Sequence, residues 1–363
     1  MKSSIGSKVR LTVFGESHGP AIGCVLEGLP AGHKIDFDLV AQQLSRRAPG
    51  KDKTATPRRE EDLPEILSGV LDGVTTGAPL AILIRNNDTR SHNYDDLKIH
   101  PRPNHSDYAA WVKYGGYNDV RGGGHFSARL TAPIVAAGAI CRSILKEKGI
   151  TLGGHILSIG NVCDKALDPV RISAEELENL SSKLFALNLP EMEEAMRNEV
   201  EAARMAGDSV GGTVELAAVG LPAGVGNPMF CGVENVLANI LYGIPAVKGV
   251  SFGAGFAFPF MRGSQANDQM YYDEQGQVKC RTNNCGGITG GITNGMPLTV
   301  TVALKPTPSI SAEQQTVDLA KKENSALKIE GRHDPCIVPR ALPALEAAMA
   351  IGLLDILAED GKL

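Results

Sequence analysis

Two copies of one glycine-rich pattern constrain this chain more than any other feature in it. From Gly286 to Ser309 it reads GGITGGITNGMPLTVTVALKPTPS. Glycines dominate the first half, Pro297, Leu298, Val300, Val302 and Leu304 mark a strand, and Lys305-Pro306-Thr307-Pro308-Ser309 closes it. Such a run describes a backbone free to approach a ligand closely, then a strand, then a rigid turn with a cation and two hydroxyls. Ser68 to Ile84, SGVLDGVTTGAPLAILI, lies over Gly286 to Val302 without a gap. Gly69, Gly73, Thr75, Gly77, Pro79 and Leu80 fall on Gly287, Gly291, Thr293, Gly295, Pro297 and Leu298. A second pair keeps the same order: Gly28-Leu29-Pro30-Ala31-Gly32 and Gly220-Leu221-Pro222-Ala223-Gly224, each after a short apolar run containing valine. Matched elements in matched order suggest an internal duplication; chance likeness between short Gly/Pro-rich segments is the alternative.

The length of 363 residues allows one large domain or two ordinary ones, and 43% hydrophobic against 21% charged residues is enough for a substantial core. Ser264 to Asn284 is long, polar and aperiodic, and it sits inside the second copy, so it reads as an excursion and not as a linker. No apolar run is expected to reach the ~20 residues of a membrane span. Met1 to Arg10 lacks an apolar signal core, and the seven cysteines are odd in number and scattered, with no CxxC pair. A cytoplasmic location in a reducing compartment follows as the expectation, with no disulfide framework and no metal site.

A net charge of −5 disfavours nucleic-acid binding. Locally the sign reverses. Arg46, Arg47, Lys51, Lys53, Arg58 and Arg59 crowd together with Asp52 the only acid among them. Pro49-Gly50 and Pro57 break the run, so it reads as a cationic loop suited to a small anionic substrate, with a solvated charged face as the alternative.

Val9 to Phe14 reads as a strand that delivers Gly15-Glu16-Ser17-His18-Gly19-Pro20, and Ala21 to Leu29 as its return. Asp36 and Asp38 lead an amphipathic helix that runs out into the basic loop. Arg102-Pro103-Asn104-His105-Ser106-Asp107-Tyr108 places His105 at a helix entrance, where the dipole lowers a histidine's pKa; Ser106 or Asp107 would cap that helix. Spacing alone does not separate acid–base roles for His18 and His105 from simple turn capping. Gly122-Gly123-Gly124 ahead of an apolar, central helix over Thr131 to Lys148 resembles an anion-binding arrangement, though it matches neither nucleotide fingerprint. Helices are expected over Ala174 to Leu187, Glu191 to Ala206, Glu234 to Leu241 and Pro343 to Leu357, and strands over Val210 to Val219 and Val247 to Phe252. Before the last helix, Gly331-Arg332-His333-Asp334-Pro335-Cys336 suggests an anion grip beside a general base. Histidines in turns, many arginines and no nucleophile elbow favour proton transfer on a phosphorylated substrate, hence a lyase or transferase over a hydrolase. A non-catalytic anion-binding module is the rival class.

Three segments carry a specific resemblance: Gly15 to Pro20, Gly122 to Gly124 with Ser127-Ala128-Arg129, and Gly331 to Cys336. With Arg46-Arg47, Arg102 to His105, Gly286 to Gly291 and Lys305 to Ser309 between them, the chain resembles the chorismate synthases from about Gly6 to about Leu357. The resemblance implies an α+β fold, a single domain over 1–363 with helices between two antiparallel sheets, to which the repeat adds a pseudo-twofold. It also implies a homotetramer. The implied reaction is the last step of the shikimate pathway, the anti-1,4 elimination of phosphate from 5-enolpyruvylshikimate-3-phosphate. Reduced FMN from an external source lends electron density to the ring as phosphate leaves and recovers it when the ring proton is lost.

Carried over by motif, His18 protonates the departing phosphate, His105 protonates or holds the flavin, and Asp334 works with the flavin in removing the proton. Arg47, Lys53 and Arg129 bind substrate. Ser127, Ala246, Gly290, Lys305, Pro306, Thr307, Pro308, Ser309 and Arg332 bind the flavin. Four positions depart from the family pattern: His125-Phe126 replaces Arg-Ser, Lys53 replaces an arginine, and Pro245 replaces an asparagine. An NAD(P)H-dependent flavin reductase, alone or as a second activity using NADPH, is the other enzymatic reading.

Overall fold

The computed structural model describes residues 3–50, 62–87, 96–329 and 334–363. Strands β1 (Ser4–Ile5), β2 (Arg10–Gly15), β3 (Ala21–Glu27), β4 (Pro64–Ser68) and β5 (Leu80–Arg85) form one antiparallel sheet in the order β1-β2-β3-β5-β4. Strands β6 (Thr151–Ile159), β7 (Val162–Cys163), β8 (Gly212–Val219), β9 (Val247–Phe252) and β10 (Leu298–Leu304) form a second, in the order β9-β10-β8-β6-β7. Without the edge strands β1 and β7, both sheets share one connectivity: β2-β3-β5-β4 against β6-β8-β10-β9.

Helices fill the space between them. They include α1 (Phe37–Arg47), α3 (Thr131–Glu147), α4 (Val233–Tyr242) and α5 (Val338–Glu359), while α2 (Asp107–Tyr114) is largely exposed. Asp36 starts α1 as expected, its carboxylate accepting from the Leu39 amide at 2.9 Å. α3 touches β3 and β5 of the first sheet, β6 of the second, and α5 along its length. Gly138 permits that helix contact, since a Cβ there would lie 2.3 Å from the Ala347 Cβ. α5 is buried on every side from Val338 to Leu357, as a helix apolar all round must be. One apolar core runs through α3, α5 and the inner faces of both sheets.

Several expectations need correction. The segments Ala128–Glu147 and Val338–Glu359 are long and apolar enough to cross a membrane, contrary to the reading that no run is; 78% and 89% of their apolar windows are buried inside the fold. The helix expected over 174–187 stops at Leu180, and α5 starts at Val338, with Pro339 in its first turn, where a missing N–H costs nothing. β6 went unread because Gly153-Gly154 looks like a loop. A Cβ at 153 would meet the Ser181 Oγ at 2.4 Å, and one at 154 the Glu215 carbonyl at 2.6 Å, so both glycines serve close packing within a strand.

The glycine-rich repeat forms a clasp in each half. Val70–Leu71 pairs with Val74–Thr75, and Ile288–Thr289 with Ile292–Thr293. The Thr75 hydroxyl donates to the Pro30 carbonyl at 2.7 Å and accepts from the His33 amide at 3.0 Å. The Thr293 hydroxyl donates to Pro222 at 2.6 Å and accepts from Val225 at 2.9 Å. Each Gly/Thr hairpin thus grips its own Leu-Pro-Ala-Gly turn, and each turn begins at a glycine that no other residue could replace. A Cβ on Gly28 (φ +83°) would lie 1.9 Å from the Lys8 carbonyl oxygen, and one on Gly220 (φ +84°) 2.0 Å from that of Gly149.

Candidate active site

One cleft of about 1610 Å³ is lined by segments from both halves of the chain. Ordinary ligand pockets span roughly 300–1,000 Å³, so there is room for a substrate beside a cofactor. His105, Ser127, Ala246, Lys305, Thr307, Pro308, Ser309, Asp334, Arg47 and Arg129 all line it. Pro306 and His18 adjoin lining residues without lining it themselves. Gly290 is on the turn of the second hairpin and does not line the cleft, and Lys53 and Arg332 lie outside the described residues.

Arg46 and Arg47 form the last turn of α1 and are not part of a loop, which corrects the first reading of the basic run. They face opposite ways. Arg46 turns inward to Glu346 and the Gln43 side chain, within the core. Arg47 turns to the cleft, where its Nε donates to the Thr131 hydroxyl at 3.1 Å and Nη2 to the Ala128 carbonyl at 3.2 Å. Asp62 joins it to Arg129: one carboxylate oxygen accepts from Arg47 Nη1 at 2.6 Å and the other from Arg129 Nη1. Burial pushes the Asp62 carboxyl up, but the two guanidiniums outweigh it and hold the group below the usual carboxylate range. Arg129 is further fixed by the Asn86 side-chain oxygen at 3.1 Å.

His105 stands at the entrance of α2, as expected, but Asp107 does not serve as a cap. Its carboxylate accepts from His105 Nδ1 at 2.5 Å, from Arg102 Nε at 2.7 Å and from the Arg102 amide at 3.0 Å. Arg102 Nη2 also lies 3.2 Å from Nδ1, so two partners compete for that nitrogen. The ionised, acceptor-only carboxylate is nearer and settles the tautomer: Nδ1 carries the proton and Nε2 is left as the acceptor. Burial lowers the His105 pKa first; Asp107 opposes this, and Arg102 and Lys305 reinforce it. Asp107 itself is driven well below its ordinary value. A neutral imidazole with a basic Nε2 results.

The three glycines pack the histidines. Gly122, Gly123 and Gly124 all have left-handed φ values, and a Cβ on Gly122 would lie 2.3 Å from His18 Cε1. One on Gly123 would meet His105 Nε2 at 3.4 Å, and one on Gly124 the Asp119 carbonyl at 2.1 Å. His18 and His105, far apart in sequence, therefore stand against consecutive glycines. His125, a departure from the family pattern, donates from Nδ1 to the Gly15 carbonyl and accepts at Nε2 from the Ser3 hydroxyl, both at 2.8 Å. The lost arginine is thus replaced by a tie to the N-terminal strand.

Across the cleft, β10 is followed by Lys305, whose ammonium donates to the Asn104 carbonyl beside His105. Burial and Lys248 lower the Lys305 pKa. The Ser309 hydroxyl accepts from Arg102 Nη1 at 3.2 Å, which ties the Lys-Pro-Thr-Pro-Ser turn to the His105 cluster. The Thr307 hydroxyl oxygen is buried with no hydrogen-bond partner among the described residues. Ala246 holds φ +74° while its carbonyl accepts from the Lys305 amide at 3.0 Å, an unusual conformation for a non-glycine residue. Asp334 accepts from Arg340 Nη1, and Arg340 Nε donates to the Arg47 carbonyl at 3.1 Å. Sequence reasoning missed Asp62, Arg102 and Arg340 as members of the site. Only Arg102 carried a signal, its position in the Arg-Pro-Asn-His motif.

The family model described as chorismate synthase matches residues 9–358. A chorismate synthase of Thermococcus kodakarensis is 47% identical over 350 residues, covering 96% of both chains. One of Methanothermobacter thermautotrophicus is 43% identical over 353 residues, covering 97% of this chain and 93% of its own. A crystal structure of chorismate synthase superposes with a TM-score of 0.76 at 31% identity, over 98% of this chain and 93% of that one. On this match in sequence and in fold, the chain belongs to the chorismate synthase family.

Proposed function

We propose that this cleft carries out the chorismate synthase reaction, the anti-1,4 elimination of phosphate from 5-enolpyruvylshikimate-3-phosphate, with reduced FMN as cofactor. The observation that carries this reading is convergence: Arg47, His105, Arg129, Lys305, Thr307, Pro308, Ser309 and Asp334 come from distant parts of the chain to one cleft. The residues fit a flavin. The buried Thr307 hydroxyl has no hydrogen-bond partner among the described residues, and Lys305, Ser309, Ser127 and Ala246 line the same cleft. When bound, reduced FMN supplies electron density to the substrate ring as phosphate departs. Arg47 and Arg129 hold anionic groups of the substrate, and His18, buried against Gly122, delivers a proton to the leaving phosphate. Asp334, oriented by Arg340, takes the ring proton. Neutral His105 accepts a hydrogen bond at Nε2, so of its two roles, protonating or holding the flavin, the geometry favours holding.

Exposed Phe230, Phe256, Phe260 and Tyr272 support association of copies, in line with a homotetramer, and we assign the protein to the cytoplasm with reduced flavin supplied externally. The test is anaerobic: the protein is mixed with chemically reduced FMN and 5-enolpyruvylshikimate-3-phosphate, and chorismate absorbance and released phosphate are followed. Equal amounts of both products, with reduced but not with oxidised FMN, are expected. Binding without turnover would reject the reaction, and oxidation of NADPH with free FMN would move the assignment toward a flavin reductase.

A further inference from the structure

We propose that Asp62 is the positioning residue of the anion clamp: it fastens Arg47 and Arg129 side by side so that both guanidiniums engage one anionic group of a phosphorylated ligand. The proposal deepens the reading of the cleft given above and rests on it. The Asp62 side chain is fully buried, and it stands behind the cleft wall while the two arginines form that wall. Its two oxygens are divided between them, one each. Two cations this close repel strongly where water is scarce, so the intervening carboxylate is what lets them share a site. The backbone is shaped for it: Asp62 has φ +49°, a left-handed conformation uncommon outside glycine. The secondary holds on each arginine point the same way. Thr131, Ala128 and Asn86 fix the planes of the guanidiniums, and Asp62 alone bridges them among the described residues.

An asparagine at 62 keeps the shape but removes the bridge. Its oxygen can accept from one arginine, and its NH₂ then faces the N–H groups of the other. The clamp should open even though the local charge becomes more positive.

The experiment is calorimetric titration of the full chain with inorganic phosphate, for wild type, Asp62→Asn and Asp62→Glu, without flavin. Asp62→Asn should bind phosphate about tenfold more weakly or worse, and Asp62→Glu should stay within about threefold of wild type. In turnover, the KM for substrate should rise by a similar factor while kcat holds within about threefold. Affinity for oxidised FMN should be unchanged, a readout that a general loss of structure would move. Phosphate binding by Asp62→Asn as tight as wild type or tighter would overturn the proposal, as would no binding by wild type. If Asp62→Asn does not fold, a phosphate-bound structure of the wild type decides. Both guanidiniums on one phosphate with Asp62 still bridging them supports the proposal, and phosphate displacing Asp62 ends it. Because phosphate binding needs neither flavin nor turnover, an inactive wild type that keeps this coupling would fail only the reaction assignment.

Discussion

The two sheets are woven alike but carry different loads at matched positions. Counted back five residues from the matched Leu-Pro-Ala-Gly turns, Gly23 on β3 corresponds to Glu215 on β8, and their partners across the sheet are Phe14 and His155. In the first sheet the Phe14 ring lies over Gly23, close enough that a Cβ there would be 2.3 Å from Cζ. In the second, fully buried His155 bridges Asp164 at 2.9 Å and Glu215 at 2.8 Å. The helices that follow differ in the same way: α1 ends in Arg46-Arg47, and α4 ends in Leu241-Tyr242. The clasps, in contrast, keep the same hydrogen bonds on both sides. What the halves share is scaffold, and the side chains at matched positions differ.

That comparison can be broken from its divergent side first. His18→Ala and Asp334→Asn should each lower kcat by about 10²-fold, the lower end of what a positioned acid or base contributes, with little change in thermal stability. Single-turnover chorismate formation under anaerobic conditions is the measurement, and full activity in either variant would remove that residue from the chemistry.

Next come the matched glycines. Gly28→Ala and Gly220→Ala each force a Cβ onto a carbonyl oxygen in a left-handed backbone, and each should cost about 3 kcal/mol or more. Denaturant titration should show losses of similar size. A large loss at one and none at the other would mean that the halves are not built alike.

The His155 bridge sharpens the contrast through pH. Burial alone would lower its pKa, but Asp164 and Glu215 outweigh it and raise the value to about 9, from an ordinary 6.5. A raised pKa means that the folded state holds the proton more tightly than the unfolded chain. The bridge's contribution is therefore complete below about 6.5 and fades as pH rises through about 9. Melting temperature should fall by a few degrees over that window, and His155→Gln should be less stable at pH 6 yet lose less on going to pH 9.

Much of the fold was legible in the sequence because it rests on local signals. Val9 to Phe14, the Asp36 cap and the small-residue face of α3 each announce themselves by alternation, capping chemistry or residue size. The matched turns are visible in the sequence too, but not the contacts that their glycines make. Glycines that approach a ligand and glycines that approach a neighbouring carbonyl read identically, and only tertiary contacts separate them. Asp62 was hidden for a related reason. It follows Glu60 and Glu61 in a charged stretch, and nothing in its spacing reveals that two arginines from α1 and the turn before α3 close around it. Ser106 or Asp107 is the cap that the sequence suggests, because helix starts favour both residue types, while the Asp107 carboxylate turns back to Arg102 and His105.

The central claim is that the paired clasps are structural and equivalent while the cleft alone does chemistry. The most direct test is a matched pair, Thr75→Val and Thr293→Val, each removing a hydroxyl that makes one donated and one accepted hydrogen bond. Both should lose about 1–3 kcal/mol of stability, by similar amounts, and both should keep kcat/KM within about threefold of wild type. A fall in turnover at Thr293→Val without one at Thr75→Val would contradict the account and return the second hairpin to the ligand site.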